Sequence, residues 1–206
     1  MPYLQASNIS HQFSNGDAIF ENLSCVMTDS RVGLIGSNGA GKSLLAAMLL
    51  KLTAPYKGTV PEPKSFVFYQ QQTEHRFNDG ETIAEFLGVS KILGALKKVE
   101  SGDCDPYWFE VVGDNWNLEQ HLKDDLLRLG LPTQPDFLCE QLSGGQRAKL
   151  LLWQAFDSER ELLVLDEPSN HLDYESKQWL MDAMQHFNGG ILLISHDREL
   201  LRNMNE

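Results

Sequence analysis

Cysteine is scarce: Cys25, Cys104 and Cys139 are the only three in 206 residues, and none sits in a CxxC or Cys/His ligand spacing. An odd number of widely separated thiols excludes a disulfide framework, argues against a thiolate metal site, and fits a reduced, cytoplasmic setting. Long apolar runs are missing too. The longest, Leu44 to Leu50, falls far short of the ~18 residues that a spanning helix needs. The opening MPYLQASNIS has no basic segment followed by an apolar one, so no secretory signal and no membrane insertion are expected. Basic residues are few, 17 Lys+Arg against 29 Asp+Glu, for a formal net charge of −12. Such a surface repels phosphate backbones beyond a Debye length, and any nucleic-acid contact has to be local. Repeats and low-complexity tracts are absent, and the one Pro-dense patch, Val60 to Pro63, reads as a loop.

What remains is an ordinary globular composition, 42% hydrophobic and 22% charged, with aromatics spread along the chain. The length suits one domain with an attached subdomain. Residues 1–31 read as short strands with turn signals at Ser14 to Asp17, and Arg31 to Ile35 as a buried strand followed at once by a glycine-rich turn. Ser43 to Leu52 reads as a helix under a sheet and Lys64 to Tyr69 as another strand. Beyond Thr73 the pattern turns helical, with Ile83, Phe86, Leu87, Leu93, Leu96 and Val99 at helical spacing and interruptions expected at Gly88 and Gly94. Asp105-Pro106 reads as an N-cap with a first-position proline, and Asn117 with Gln120 as a capping box. Gln146 to Phe156 and Tyr174 to Phe187 then read as helices, and Glu161 to Leu165 and Ile191 to Ile194 as buried strands. This alternation predicts an α/β fold with a largely parallel sheet covered on both faces.

The chemistry begins at Gly36-Ser-Asn-Gly-Ala-Gly-Lys42-Ser43, which fits G-x-x-x-x-G-K-[ST] between a strand and a helix. Its glycines let successive backbone N–H groups and the helix N-terminus converge on phosphate oxygens. The phosphate-binding stretch is read as Gly36, Ser37, Asn38, Gly39, Ala40, Gly41, Lys42, Ser43 and Leu44. Lys42 is expected to reach the β- and γ-phosphates of ATP, and the Ser43 hydroxyl to bind Mg²⁺. Leu162 to Leu165 is an apolar strand ending in Asp166 and Glu167. Beside a P-loop, Asp166 suits the metal and Glu167 a general base that polarises water. Leu142-Ser143-Gly144-Gly145-Gln146 precedes a helix and offers a second anion cradle, although an N-cap with a flexible entry turn would read the same way.

These three motifs in this order resemble the ATP-binding cassette (ABC) family, over essentially the whole chain. The resemblance implies a P-loop NTPase core over 1–72 and 141–206, with an N-terminal antiparallel β subdomain, and an inserted helical subdomain over 73–140. It makes Ser143, Gly144, Gly145 and Gln146 a signature that faces ATP held by a different cassette. His196 resembles the switch histidine that orients the attacking water alongside Lys42 and Glu167, and Asp173 the D-loop acid at the dimer interface. Phe13 stands where the family stacks an aromatic on adenine. The Q-loop glutamine, a further metal contact, falls among Gln70, Gln71 and Gln72, with Gln71 preferred.

Within the family, Glu167-Pro-Ser-Asn-His-Leu-Asp173 and Ser195-His-Asp-Arg-Glu-Leu200 resemble the soluble ABC-F subfamily, as does Gly113-Asp-Asn-Trp116. That resemblance implies the N-terminal cassette of a tandem protein, a ribosome-associated ATPase partnered by a second cassette or, failing that, by another copy. Ser169 stands where threonine is usual, and Trp153-Gln154 replace a small residue and arginine. Two other readings remain open: the ATP-binding subunit of a transporter, and a regulatory module that binds ATP without turnover. Retention of Glu167 and His196 weighs against the last.

Overall fold

The computed structural model describes residues 2–12, 18–28, 30–70 and 77–204. Its contacts separate the chain into two compact units, residues 1–71 with 155–206, and residues 72–154.

The first unit holds two sheets. Strands β1 (Leu4–Gln12), β2 (Ala18–Met27) and β4 (Lys57–Thr59) form an antiparallel sheet in the order β2-β1-β4. Leu4 and Ala6 point inward by simple alternation, but the next core residue is Ile9 rather than Asn8. A register shift between Ala6 and Ile9 accounts for this. Asn8 takes a positive φ of 50° there, and its N–H is satisfied by the Ser24 hydroxyl at 2.8 Å. One extra residue thereby keeps both halves of β1 facing the core.

Strands β3 (Arg31–Leu34), β5 (Phe66–Tyr69), β6 (Leu162–Asp166) and β7 (Gly190–Ile194) form a parallel sheet in the order β3-β7-β6-β5. Every residue of β6 and β7 is buried, which explains their unbroken Leu/Ile/Val runs. The sequence reading made β3 equally buried, and the structure corrects this. Among the described residues β3 pairs with β7 alone, so as an edge strand it is only partly covered. Helix α1 (Lys42–Leu49) is shorter than the helix read from sequence to Leu52. Its Leu45, Ala46, Met48 and Leu49 join one core with Leu4 and Ile9 of the antiparallel sheet and Val164, Leu192 and Ile194 of the parallel one. Helices α7 (Tyr174–His186) and α8 (Arg198–Asn203) complete the unit. Arg31 closes the C-terminal end of α7, donating to the carbonyls of Met184 (3.0 Å), Phe187 (2.5 Å) and Gly189 (2.6 Å). The Met184 and Phe187 carbonyls are ones that a helix end leaves without intrahelical partners, Gly189 lies in the connection to β7, and a charged fork satisfies all three at once.

The second unit is helical: α2 (Ile83–Phe86), α3 (Ser90–Glu100), α4 (Pro106–Val112), α5 (Leu118–Arg128), a 3-10 turn at Cys139–Gln141, and most of α6 (Gly144–Asp157). The compact unit ends inside α6, at Gln154, whereas the sequence reading ends the helical subdomain at residue 140. A reciprocal capping box starts α2, with the Thr82 hydroxyl accepting from Glu85 N–H and Glu85 accepting from Thr82 N–H. Asp105 caps α4 ahead of Pro106 as read from sequence. The box expected at Asn117 and Gln120 does not form. The turn that precedes α5, with Leu118 N–H on the Asn115 carbonyl, leaves Asn117 at φ −99° and ψ 8°, outside the extended conformation that aims a cap. Gln120 bonds instead to Asp124, one turn along. Gly88, at φ 72°, follows the end of α2, whereas Gly94 lies inside α3 and does not interrupt it.

Candidate functional site

The turn from β3 into α1 is built by its glycines. Gly39 and Gly41 take φ of 81° and 83°, conformations that cost any other residue strain. Gly41 also has no room, because a Cβ there would lie 2.7 Å from side-chain carbons of Ile19 and Phe20. It brings no side chain to cap α1, and the helix's first turn carries no acid. The N–H groups of that turn are thus presented without a competing carboxylate, at the positive end of the helix dipole, which fits a phosphate. Ser37, Asn38, Gly39 and Ala40 are all exposed. Leu44 is half-buried and packs against the core.

Lys42 folds back over this turn, its Nζ donating to the carbonyls of Gly36 (2.8 Å) and Ser37 (3.0 Å) and lying 3.4 Å from His196 Nε2. His196 follows β7, and the same Nε2 lies 3.3 Å from Glu167 Oε1. One imidazole nitrogen cannot accept from Lys42 and donate to Glu167 together, so the tautomer decides which neighbour it serves. Glu167 follows β6 in the left-handed region, at φ 49°, with its N–H donating to the Ile194 carbonyl at 2.8 Å. Backbone conformations of this kind persist where the surroundings dictate them, and here the dictated result is a carboxylate turned toward His196.

Asp166 is buried at the end of β6, and the Ser43 hydroxyl favours its charged form. Burial raises its pKa above the ordinary carboxylate value, and the Glu167 charge adds to that; Ser43 and Lys42 oppose it. Two hard oxygen donors side by side, one anionic, suit a small divalent cation such as Mg²⁺. Lys42, Ser43, Asp166, Glu167 and His196 are therefore brought together in the first unit. Phe13 and Gln71 lie outside the described residues, and Gln70 is exposed just past β5. Asp173 caps α7, accepting from Ser176 N–H at 2.9 Å and from the Ser176 hydroxyl.

In the second unit, Ser143 and Gln146 form a reciprocal cap at the start of α6: Gln146 N–H donates to the Ser143 hydroxyl (3.3 Å), and Ser143 N–H to Gln146 Oε1 (3.0 Å). The preceding turn is held by Arg147, whose guanidinium donates to the carbonyls of Leu142 and Glu140. Ser143 and Gly144 are exposed.

The ABC transporter family model matches residues 21–170. This chain belongs to the ATP-binding cassette family. The curated relatives that it matches are ABC-F proteins. It is 32% identical over 193 residues to the ATP-binding protein Uup of Escherichia coli, covering 85% of this chain and 30% of that protein. It is 31% identical over 199 residues to the Energy-dependent translational throttle protein EttA of Escherichia coli, covering 85% and 35%. It is 34% identical over 211 residues to the Probable ATP-binding protein YheS of Escherichia coli, covering 98% and 29%. The cassette thus spans about a third of the length of these relatives. Among solved structures, CbiO1 from Clostridium perfringens, part of the ABC transporter complex CbiONQ, superposes with a TM-score of 0.67 at 17% identity, covering 98% of this chain and 82% of that one. An ATP-binding subunit of an ABC transporter gives 0.66 at 21% identity, covering 94% and 79%. At such identities the likeness establishes the fold: an ABC nucleotide-binding domain with an antiparallel sheet, a parallel sheet and helices.

Sequence reading missed what holds His196. Ser195 is fully buried, and its hydroxyl accepts from Asp197 N–H at 3.0 Å. Asp197 caps α8 through the N–H groups of Glu199 and Leu200 and pairs with Lys177 of α7 at 2.9 Å. Burial alone would raise the Asp197 pKa, but the Lys177 bond and the two capping N–H groups outweigh it and lower it. His196 is thereby fixed between two anchored neighbours. The signal available was Asp-x-Glu-Leu opening a helix, an N-cap pattern.

Proposed function

We propose that the cassette binds MgATP at the α1 N-terminus and hydrolyses it, and that it does so as the N-terminal cassette of a tandem ABC-F type protein acting on the ribosome. The observation that carries the enzymatic part is the Lys42, His196 and Glu167 linkage, with Ser43 and Asp166 beside it. A binding-only site has no use for a carboxylate aimed past an imidazole. Lys42, released from the Gly36 and Ser37 carbonyls, neutralises β- and γ-phosphate charge. Ser43 and Asp166 would hold Mg²⁺, and the ion when bound would supply charge stabilisation to the phosphate oxygens. Glu167 accepts a proton from the attacking water, and His196 steadies that water and the phosphate oxygen beside it. Ser143 and the Gly144 and Gly145 amides serve a site on a second cassette, in the same chain of a tandem protein or in another copy.

The ribosomal part is supported by the 31% identity to the Energy-dependent translational throttle protein EttA. Phosphate release measured on the wild type and on Glu167→Gln tests the enzymatic proposal. The variant should bind a fluorescent ATP analogue normally and lose at least ~10²-fold in turnover, since the amide cannot accept the proton. Turnover at the wild-type rate in Glu167→Gln would remove Glu167 from the mechanism. Sedimentation with ribosomes in MgATP should be prolonged by the same substitution in a tandem protein, and absence of any ribosome association would leave the transporter reading the better one.

A further inference from the structure

Helix α4 is poorly buried for its composition. It carries Tyr107, Trp108 and Phe109 in succession, yet Val112 is its one fully buried residue. Tyr107 is 47% exposed and Phe109 42%, and Trp116, just beyond the helix, is 48% exposed. The rings form two pairs, Tyr107 with Trp108 (centroids 4.9 Å apart) and Phe109 with Trp116 (5.9 Å). Half-exposed aromatics paired on a short helix are the kind of anchor that concentrates binding energy in a small interface.

Charge around these rings selects the partner. Between Lys98 and Lys123 there is no lysine or arginine at all, while Glu100, Asp103, Asp105, Glu110, Asp114 and Glu119 fall in that stretch. Glu100, Asp105, Glu110 and Asp114 are exposed, and none makes an ion pair among the described residues. Asp103 accepts from the Trp108 indole, Asp105 caps α4 through the Tyr107 N–H, and Glu119 pairs with Lys123, so those three serve the unit itself and Glu100, Glu110 and Asp114 are left over. Among the described residues, Lys91 of α3 is the cation that faces the rings, its Nζ 5.8 Å from the Tyr107 centroid. Lys91 shows that this surface already accepts a cation over an aromatic face.

We propose that α4 and Trp116 form a docking surface for an arginine-rich polypeptide segment. A guanidinium stacks flat on an aromatic ring and pairs with a neighbouring carboxylate through its fork, which matches rings interleaved with unpaired acids. An RNA strand could stack on the same rings, but its phosphates would meet only carboxylates over this stretch. The surface works without nucleotide, so its test is independent of the ATPase proposal.

The test titrates the whole chain, without ATP, with three fluorescein-labelled probes of equal length: an Arg/Gly peptide, an Asp/Gly peptide and an oligouridine strand. The Arg/Gly peptide should bind with a Kd of about 10 μM in ~0.15 M salt and quench Trp116, and the other two should not bind measurably. Phe109→Ala/Trp116→Ala should weaken that binding about tenfold although it leaves every charge in place. Glu110→Gln/Asp114→Asn should weaken it by a similar factor, and Tyr56→Ala, which removes a still more exposed ring from the first unit, should not change it. Equal affinity in the parent and the aromatic double variant would reduce the binding to bulk attraction by a chain of charge −12 and overturn the proposal, as would tighter binding of oligouridine than of the Arg/Gly peptide.

Discussion

Asp166 is asked to do two incompatible things. A metal ligand has to be ionised, yet the end of β6 is buried and Glu167 follows directly, so the folded state disfavours the charge and the pKa is raised. For a carboxyl group the sign runs against stability at neutral pH. Its contribution is greatest when it is protonated, below the ordinary carboxylate pKa, and is lost as pH rises through its raised folded value. At pH 7 the folded chain carries this penalty in full. Asp166→Asn keeps the Ser43 contact and removes the charge, so the nucleotide-free variant should melt above the parent at pH 7, with the gap closing as pH falls through the carboxylate range. The same variant should lose most of the thermal shift that MgATP gives the parent, because an amide is a poor Mg²⁺ ligand. Melting curves at several pH values, with and without MgATP, check both halves. A variant that is less stable at pH 7 would show that the Asp166 charge is compensated by groups other than Ser43 and Lys42.

Turns and helix ends divide what could be read in advance from what could not. The P-loop was legible because its conformation permits almost no other residues: Gly41 needs both its positive φ and its missing Cβ, against Ile19 and Phe20. Gly41→Ala should therefore cost ~2 kcal/mol or more in stability and weaken MgATP binding as β2 is pushed from α1. Denaturant unfolding and nucleotide titration on one sample measure the two effects, and a neutral result would show that Ile19 and Phe20 yield freely. The strands β6 and β7 were equally legible, since only a strand covered on both faces supports Leu162 to Leu165 or Ile191 to Ile194 unbroken. By contrast, β3 looked the same in sequence and is an edge strand, because strand order is set by long-range pairing that a local apolar run does not encode. Asn117 and Gln120 carried the right letters for a capping box, but a turn upstream set the wrong backbone angles. The Arg31 clamp on the end of α7 joins residues some 150 positions apart and left no local signal. The Asp197 cap did leave one, and its link to Lys177 did not.

At the scale of the molecule, a net charge of −12 bears on the proposed pairing of cassettes. Two copies of the chain repel one another at long range, while the contacts that would hold them together, Ser143 and its flanking amides against bound phosphate, act at short range. Salt screens the first more than the second, with a Debye length of about 8 Å at 0.15 M against about 30 Å at 0.01 M. ATP hydrolysis per molecule of this chain should accordingly rise with chain concentration, and the rise should be steeper at about 0.15 M salt than at 0.01 M. Most surface electrostatic associations have the opposite salt dependence, so the sign is diagnostic. Ser143→Arg should flatten the concentration dependence at both salt levels by placing a bulky cation in the second cradle, while leaving MgATP affinity of the individual chain unchanged, because Ser143 belongs to the other unit from Lys42 and Asp166. Phosphate release over a hundredfold range of chain concentration, paired with sedimentation velocity in MgATP, measures both quantities together. A rate per molecule that does not change with concentration in the wild type would mean that one copy completes its own site, and the role assigned to Ser143, Gly144 and Gly145 would have to be withdrawn.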